Sequence, residues 1–308
     1  MRLLVLCRLI CLMIFATTTL QAQENRTPPF KSGFITTADN VRIHYLEAGP
    51  SNKRRVTFNN RTGLIRIPTF LFVPGWMTPA WIWEHQIAHF AKYYRVVAMD
   101  PRSQGNSSKA SDGHHPAARA RDIKALVDKL DLSPVILVAN SITVTELVSY
   151  VDQFGTDSVN ALVLVNGIAG REYDKDTTWG LLSYANTFQT DRRRAADRFV
   201  RGLYKKKHSE EYISRMIDAT LQMPTNSAVA VFLGSLMSDN RSALAKIDRP
   251  TLIVVARVPA WMSLYEDLQK RIRGSRLEVF EDAGHALFVD EAPKFNKVLE
   301  DFLRSRNK

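Results

Sequence analysis

The sequence predicts an α/β domain: a mostly parallel central sheet flanked by helices, with a helical insertion late in the chain. Three observations lead there. Short apolar runs alternate with segments of helical periodicity from Thr69 to Leu303, the pattern of strands feeding crossover helices. The unbroken run Val135 to Val138 leads into a single serine, Ser141, and then into a segment with Leu147, Val148, Val151 and Phe154 at helical spacing. Near the other end, the strand-like Arg276 to Phe280 is followed by Glu281-Asp-Ala-Gly-His285 and a closing helix through Val298, Phe302 and Leu303. At 308 residues and 45% hydrophobic, the chain is long enough for one large core.

Residues 1–22 read as a secretory signal. Arg2 and Arg8 precede or interrupt an apolar run through Phe15, and Leu20-Gln-Ala22 offers a small residue for cleavage before Gln23. The run is shorter than the ~20 apolar residues a membrane-spanning helix needs. Both cysteines, Cys7 and Cys11, fall inside it, so the mature chain is expected to hold no thiol and to suit an oxidising compartment, secreted or periplasmic. Residues 23–308 then form a single domain.

Gly33 to Gly49 reads as an opening hairpin, with Val41, Ile43 and Tyr45 alternating against polar neighbours. Ser51 to Pro68 is basic and Asn-rich and is expected to be an inserted loop. Thr69 to Val73 is a buried strand, Trp81 to Lys92 a helix, and Arg95 to Met99 the next strand. Ala117 to Leu130 is an amphipathic helix whose apolar face is drawn by Ile123, Leu126, Val127 and Leu130. Val159 to Val165 is a strand. From about Thr177 to Ala245 strand signals vanish, and helical stretches at Leu181 to Phe188, Ala195 to Tyr204, Glu210 to Leu221 and Ala228 to Met237 take their place. The aromatics and methionines there (Trp179, Tyr184, Phe188, Met216, Met223, Phe232, Met237) are read as packing rather than pocket lining. Pro250-Thr-Leu-Ile opens a further strand ending Val255-Ala-Arg-Val-Pro259.

Together, Phe72-Val-Pro-Gly-Trp76, Asp100-Pro-Arg-Ser-Gln-Gly-Asn-Ser107, the segment around Ser141, Pro250-Thr-Leu-Ile and Ala283-Gly-His285 resemble the α/β-hydrolase superfamily, in the expected order and over roughly residues 34–305. The resemblance implies that the insertion at about 177–245 is a cap roofing the pocket. It also implies that Asp100 and Arg102 are structural. The departures are specific. That family usually shows Gly-x-Ser-x-Gly at its nucleophile, because the tight turn crowds its neighbours, and here the flanks are Ala139 and a β-branched Thr143. The oxyanion loop reads Pro74-Gly75 in place of His-Gly. Proline occupies position 259, where many relatives carry the catalytic aspartate.

A serine hydroxyl is a weak nucleophile at neutral pH and needs a general base, for which His285 is the candidate. The backbone N–H of Ile142, at a helix start, and that of Trp76 are the expected oxyanion donors. For the third triad member, the resemblance to haloalkane dehalogenases and their relatives directs attention to the end of the Val159 to Val165 strand. There Asn166 is one candidate, Asp174 or Asp176 a second, and no acid at all a third. Serine at 141 sets the chain apart from the aspartate-nucleophile hydrolases of this fold and favours an acyl-enzyme. The expectation is a carboxylesterase-like hydrolase of small-molecule esters or amides that needs no cofactor or metal. A cofactor-free haloperoxidase-like perhydrolase and a non-catalytic small-molecule binding protein are the alternatives.

Lys and Arg number 42 against 31 Asp and Glu, and the excess clusters at Lys53-Arg-Arg55 and from Arg192-Arg-Arg194 through Lys205-Lys-Lys207. This reads as a solvated surface, with attraction to anionic surfaces as the alternative. No nucleic-acid recognition module accompanies it. His114-His115 lack a partner at metal-ligand spacing and read as a surface loop. Asn-x-Ser/Thr sequons stand at Asn25, Asn60, Asn106 and Asn240.

Overall fold

The computed structural model describes residues 30–58 and 61–305; residues 1–22, expected to be a secretory signal, lie outside them. Eight strands form one sheet: β1 (Lys31–Thr36), β2 (Arg42–Ala48), β5 (Thr69–Val73), β6 (Val96–Met99), β7 (Val135–Asn140), β8 (Val159–Val165), β9 (Thr251–Ala256) and β10 (Arg276–Phe280), in the order β1-β2-β6-β5-β7-β8-β9-β10. The first two strands pair antiparallel, β2 runs antiparallel to β6, and every later pair is parallel. Ser51 to Pro68 is not the expected loop. It folds into a second, two-stranded sheet, β3 (Lys53–Phe58) with β4 (Arg61–Arg66), whose alternating Arg, Val, Thr, Leu and Ile residues satisfy period-2 pairing.

Because the interior strands are parallel and covered on both sides, both of their faces are apolar. On one side Phe70, Phe72, Ile136, Val138, Val163 and Val254 pack against α1 (Glu84–Phe90) and α10 (Ala292–Ser305). On the other, Leu71, Leu137, Leu162 and Ile253 pack against α2 (Pro116–Lys129), α3 (Thr143–Phe154) and α8 (Pro259–Arg271). A single-residue shift in β7 would swap Ile136 and Val138 with Leu137, and with both faces apolar the register rests on how these side chains fit their two layers rather than on polarity. Between β8 and β9 the chain inserts four helices, α4 (Lys175–Thr190), α5 (Arg192–Gly202), α6 (Glu210–Leu221) and α7 (Thr225–Leu236). A short helix, α9 (Leu287–Asp290), precedes α10.

From β5 the chain crosses to β6 on one side, then through α2 to β7 on the other. The carboxyl ends of β5 and β7 therefore flank the point where the strand order reverses, where open α/β sheets leave a crevice. Beneath it lies a buried polar network. Arg119 donates from Nε to Glu146 Oε1 at 2.5 Å, with each side chain 1% exposed, and from Nη2 to Gln104 Oε1 at 3.1 Å. Gln104 Nε2 donates in turn to the carbonyls of Gly75 and Thr78 at 2.9 Å. Asp100 accepts from His44 Nδ1, Ala80 N and Asn106 N, and Arg102 grips Asp122 through two bonds of 2.6 and 2.7 Å. His114 is bonded to the Ser103 hydroxyl, and its pKa is held down at about 4 by burial and by Arg119 and Arg102.

Removing one member of a buried ion pair leaves the other charge dry and unpaired, a loss of about 3–5 kcal/mol. Arg119→Leu should therefore lower unfolding free energy by that amount in urea titrations. A loss below about 1 kcal/mol would mean that the pair is dispensable.

Candidate active site

Strand β7 ends at Asn140, and the next residue turns the chain into α3. Ser141 sits at φ +64°, a left-handed conformation uncommon for a non-glycine residue. The turn is held by Ser141 N donating to Val165 O at 2.8 Å and Asn140 Nδ2 donating to the same oxygen at 3.2 Å. Thr143 is not the disturbance its β-branch suggests. It is fully buried at the start of α3, and its hydroxyl donates to Asn140 O at 2.7 Å, so it closes the turn. The close approach expected at the flanks occurs instead at two neighbouring glycines. A Cβ on Gly167 would stand 2.3 Å from Ser141 O and 2.4 Å from Val144 Cγ2, and one on Gly75 would stand 2.8 Å from Asn140 Oδ1.

His285 lies on the loop after β10. Ala286 N donates to Leu203 O at 2.8 Å, and Gly284 N donates to Asp290 Oδ2 at 2.7 Å; the same carboxylate accepts from Lys205 N at 2.8 Å and from His208 Nε2 at 2.9 Å. The loop is thus pinned to the segment between α5 and α6. On its other side is Asn166, at the end of β8 with φ +47°.

Asn166 does not meet the imidazole as expected of an orienting residue. Its Nδ2 donates to the backbone carbonyl of His285 at 2.8 Å, and its Oδ1 accepts from Ala256 N at 2.7 Å. The amide suits this place because one partner is an acceptor and the other a donor. Asp174 is also elsewhere: exposed at the N-cap of α4, it accepts from Thr177 N at 2.7 Å. Asp176 is exposed in the first turn of the same helix. Among the described residues the His285 ring forms no hydrogen bond or ion pair with a carboxylate. Apolar burial alone holds its pKa down at about 4, so the ring is neutral at neutral pH.

Ser141 and His285 both line two adjoining cavities. The larger, about 570 Å³, is walled by Tyr173, Leu181, Phe232, Leu236, Trp261 and Tyr265, and no Asp, Glu, Lys or Arg among the described residues lines it. The smaller, about 350 Å³, lies on the Gly75–Trp76 side and includes Ile142. The backbone N–H groups of Trp76 and Ile142 donate to no protein acceptor among the described residues. The Trp76 side chain anchors the inserted helices instead. Its indole Nε1 donates to Ala228 O at 2.8 Å, and its rings lie 4.8–5.4 Å from those of Phe232, Phe188 and Phe199.

Of the aromatics and methionines read as packing, Phe188, Met216 and Met223 are buried in clusters, whereas Tyr184 and Phe232 line the cavity and Trp179 and Met237 are exposed. Trp261 and Tyr265 went unrecognised in the sequence. Their spacing of four on the helix that directly follows β9 was the available signal, since one helix face near a strand's carboxyl end must look into the crevice.

A family model described as alpha/beta hydrolase family matches residues 70–298. The AB hydrolase superfamily protein YisY of Bacillus subtilis is 26% identical over 254 residues, covering 76% of this chain and 91% of that protein. The bifunctional esterase/perhydrolase DCH of Acinetobacter calcoaceticus is 31% identical over 137 residues, covering 44% of this chain and 45% of its own. Among solved structures, the esterase EaEST from Exiguobacterium antarcticum superposes with a TM-score of 0.78 at 23% identity, over 89% of this chain and 100% of that one. The reversal of strand order at β5 and β7, the left-handed serine at the end of β7, the histidine loop after β10 and the match over residues 70–298 agree, and the chain belongs to the alpha/beta hydrolase family.

Proposed function

We propose that the protein is a serine esterase that works through an acyl-enzyme, with Ser141 as nucleophile, His285 as general base and the N–H groups of Trp76 and Ile142 as oxyanion donors. One observation carries this reading: all four residues line a single cavity that no Asp, Glu, Lys or Arg among the described residues enters, and the Trp76 and Ile142 N–H groups have no protein acceptor there. In the first half-reaction, Ser141 Oγ attacks the ester carbonyl carbon while His285 takes the hydroxyl proton. The carbonyl oxygen becomes an oxyanion facing the two N–H donors. Collapse expels the alcohol, which receives the proton from His285, and water repeats the sequence to release the acid. The helical insertion serves in this reading as a cap, its α4 and α7 residues forming the cavity's outer wall. Acyl transfer to hydrogen peroxide in place of water is a second reading, favoured by the partial similarity to an esterase/perhydrolase.

Ser141→Ala should abolish both hydrolysis of p-nitrophenyl butyrate and labelling by a fluorophosphonate, with melting temperature nearly unchanged. Equal activity in the variant would end the serine reading. Wild-type protein that neither labels nor hydrolyses would indicate a binding protein.

His285 acts as a base only while neutral, and burial lowers its pKa to about 4. With circular dichroism used to confirm folding at each pH, kcat/KM should stay level from pH 8 to about 5 and fall only as pH approaches about 4. A midpoint near 6.5 would show a ring that is solvated or paired with a carboxylate.

Asn166→Asp would turn a carboxylate oxygen toward the His285 carbonyl and replace a donor by an acceptor. The expected result is a loss of about 1–3 kcal/mol in stability and no gain in turnover. A rise of about tenfold or more would place the side chain against the ring.

A further inference from the structure

A third cavity, about 310 Å³, continues the main one outward. It shares Tyr173, Leu181 and Leu236 with it and adds Thr178, Leu182, Leu233 and Met237, which belong to α4 and to the end of α7 and the residue after it. The character of the wall changes along this path. Near Ser141 it carries four aromatic rings, Tyr184, Phe232, Trp261 and Tyr265; outward it is mostly leucine and methionine, with Tyr173 and Thr178 beside them. Flexible aliphatic side chains conform to an alkyl chain, whereas rigid ring faces select flat groups. The far end opens onto solvent, where Leu182 is 41% and Met237 85% exposed and Trp179 stands exposed nearby. The outer groove, like the main cavity, has no Asp, Glu, Lys or Arg among the described residues lining it, so no charged terminus is met along the way.

We infer that the acyl chain of the substrate runs from Ser141 through the main cavity and out between α4 and α7, so that the preferred substrates are esters of long, unbranched aliphatic acids. This rests on Ser141 as nucleophile. An apolar groove left open to water is costly to hydrate, and a methylene chain laid along it removes that exposed surface. Because the groove has an open end, chain length is not capped by a wall. Affinity should keep rising until the chain passes Met237.

The test is a series of p-nitrophenyl esters from butyrate to dodecanoate, used below micelle-forming concentrations. Wild-type kcat/KM should be about tenfold or more higher for dodecanoate than for butyrate. Two variants alter the groove: Leu233→Trp narrows it, and the double change Leu182→Asp with Met237→Asp sets carboxylates at exposed positions of its mouth. Both should lower the dodecanoate-to-butyrate ratio at least about fivefold. A separate arm measures dodecanoate and butyrate binding to the Ser141→Ala protein by calorimetry, a readout independent of catalysis. Absence of hydrolysis at every length, with dodecanoate still bound in preference and the preference lost on adding Leu233→Trp, would overturn the esterase reading and leave the groove standing. A rate and an affinity no greater for dodecanoate than for butyrate would overturn the groove, as would variants that change both chain lengths equally.

Discussion

Four successive strands of this sheet end in a non-glycine residue of left-handed conformation or lead within a few residues to one: Met77 after β5, Ser103 after β6, Ser141 after β7 and Asn166 after β8, at φ +57°, +67°, +64° and +47°. Each costs about 1–3 kcal/mol and persists only where the surroundings over-determine it. The rest of the site depends on that constraint. A left-handed residue turns the chain sharply at the sheet's edge; after Ser141 the next backbone N–H, that of Ile142, has no protein acceptor among the described residues, whereas Thr78 N and Gln104 N are taken up by the carbonyls of Gly75 and Pro101. At Ser141 the surroundings are Val165, Asn140, Thr143 and the two close-fitting glycines, 75 and 167. Beneath the Gly75–Trp76 loop they are Gln104, Arg119 and Glu146, a buried chain of bonds from the core to the Gly75 carbonyl.

The histidine is placed by backbone rather than by a partner for its ring. Asn166 holds the His285 carbonyl, Asp290 holds Gly284 N, and Leu203 holds Ala286 N. Three anchors from three elements fix where the imidazole stands while leaving its charge unsupported. In serine proteases an asparagine in place of the triad aspartate costs about 10⁴ in turnover, because the imidazolium loses its stabilising charge and the favoured tautomer changes. Here burial alone keeps the ring neutral, and no carboxylate among the described residues lines the cavity to support an imidazolium.

Asp290 links this chemistry to the inserted helices. Its carboxylate binds the histidine loop and the turn between α5 and α6 at once, and Trp76, on the loop after β5, donates to Ala228 O of α7. The insertion is therefore attached through the site itself. A displacement of α5 to α7 would move His285 and Trp76 together.

The sequence by itself determined the order along the chain of the strands in the main sheet and of their helices, because unbroken runs of Val, Ile and Leu and amphipathic segments at period 3.6 leave few alternatives. It also singled out Ser141 and His285, which line the same cavities, since both stand in turns whose local pattern is short-range. What it did not contain was the partner of any side chain across distant loops. Asn166 and His285 are 119 residues apart, and whether the amide meets the ring or the carbonyl beside it depends on a few ångströms of packing between β8 and the loop after β10. Thr143 looked like a steric fault because its neighbours in sequence are visible and its neighbours in space are not. The room for the turn came from Gly75 and Gly167, on the loops beyond β5 and β8. The basic segment from Lys53 to Arg66 became a hairpin because its alternation pairs with itself, a preference that loop-like composition concealed. Elements follow from local periodicity, but contacts between them follow from where independent elements come to rest on one another, and tertiary packing alone decides that.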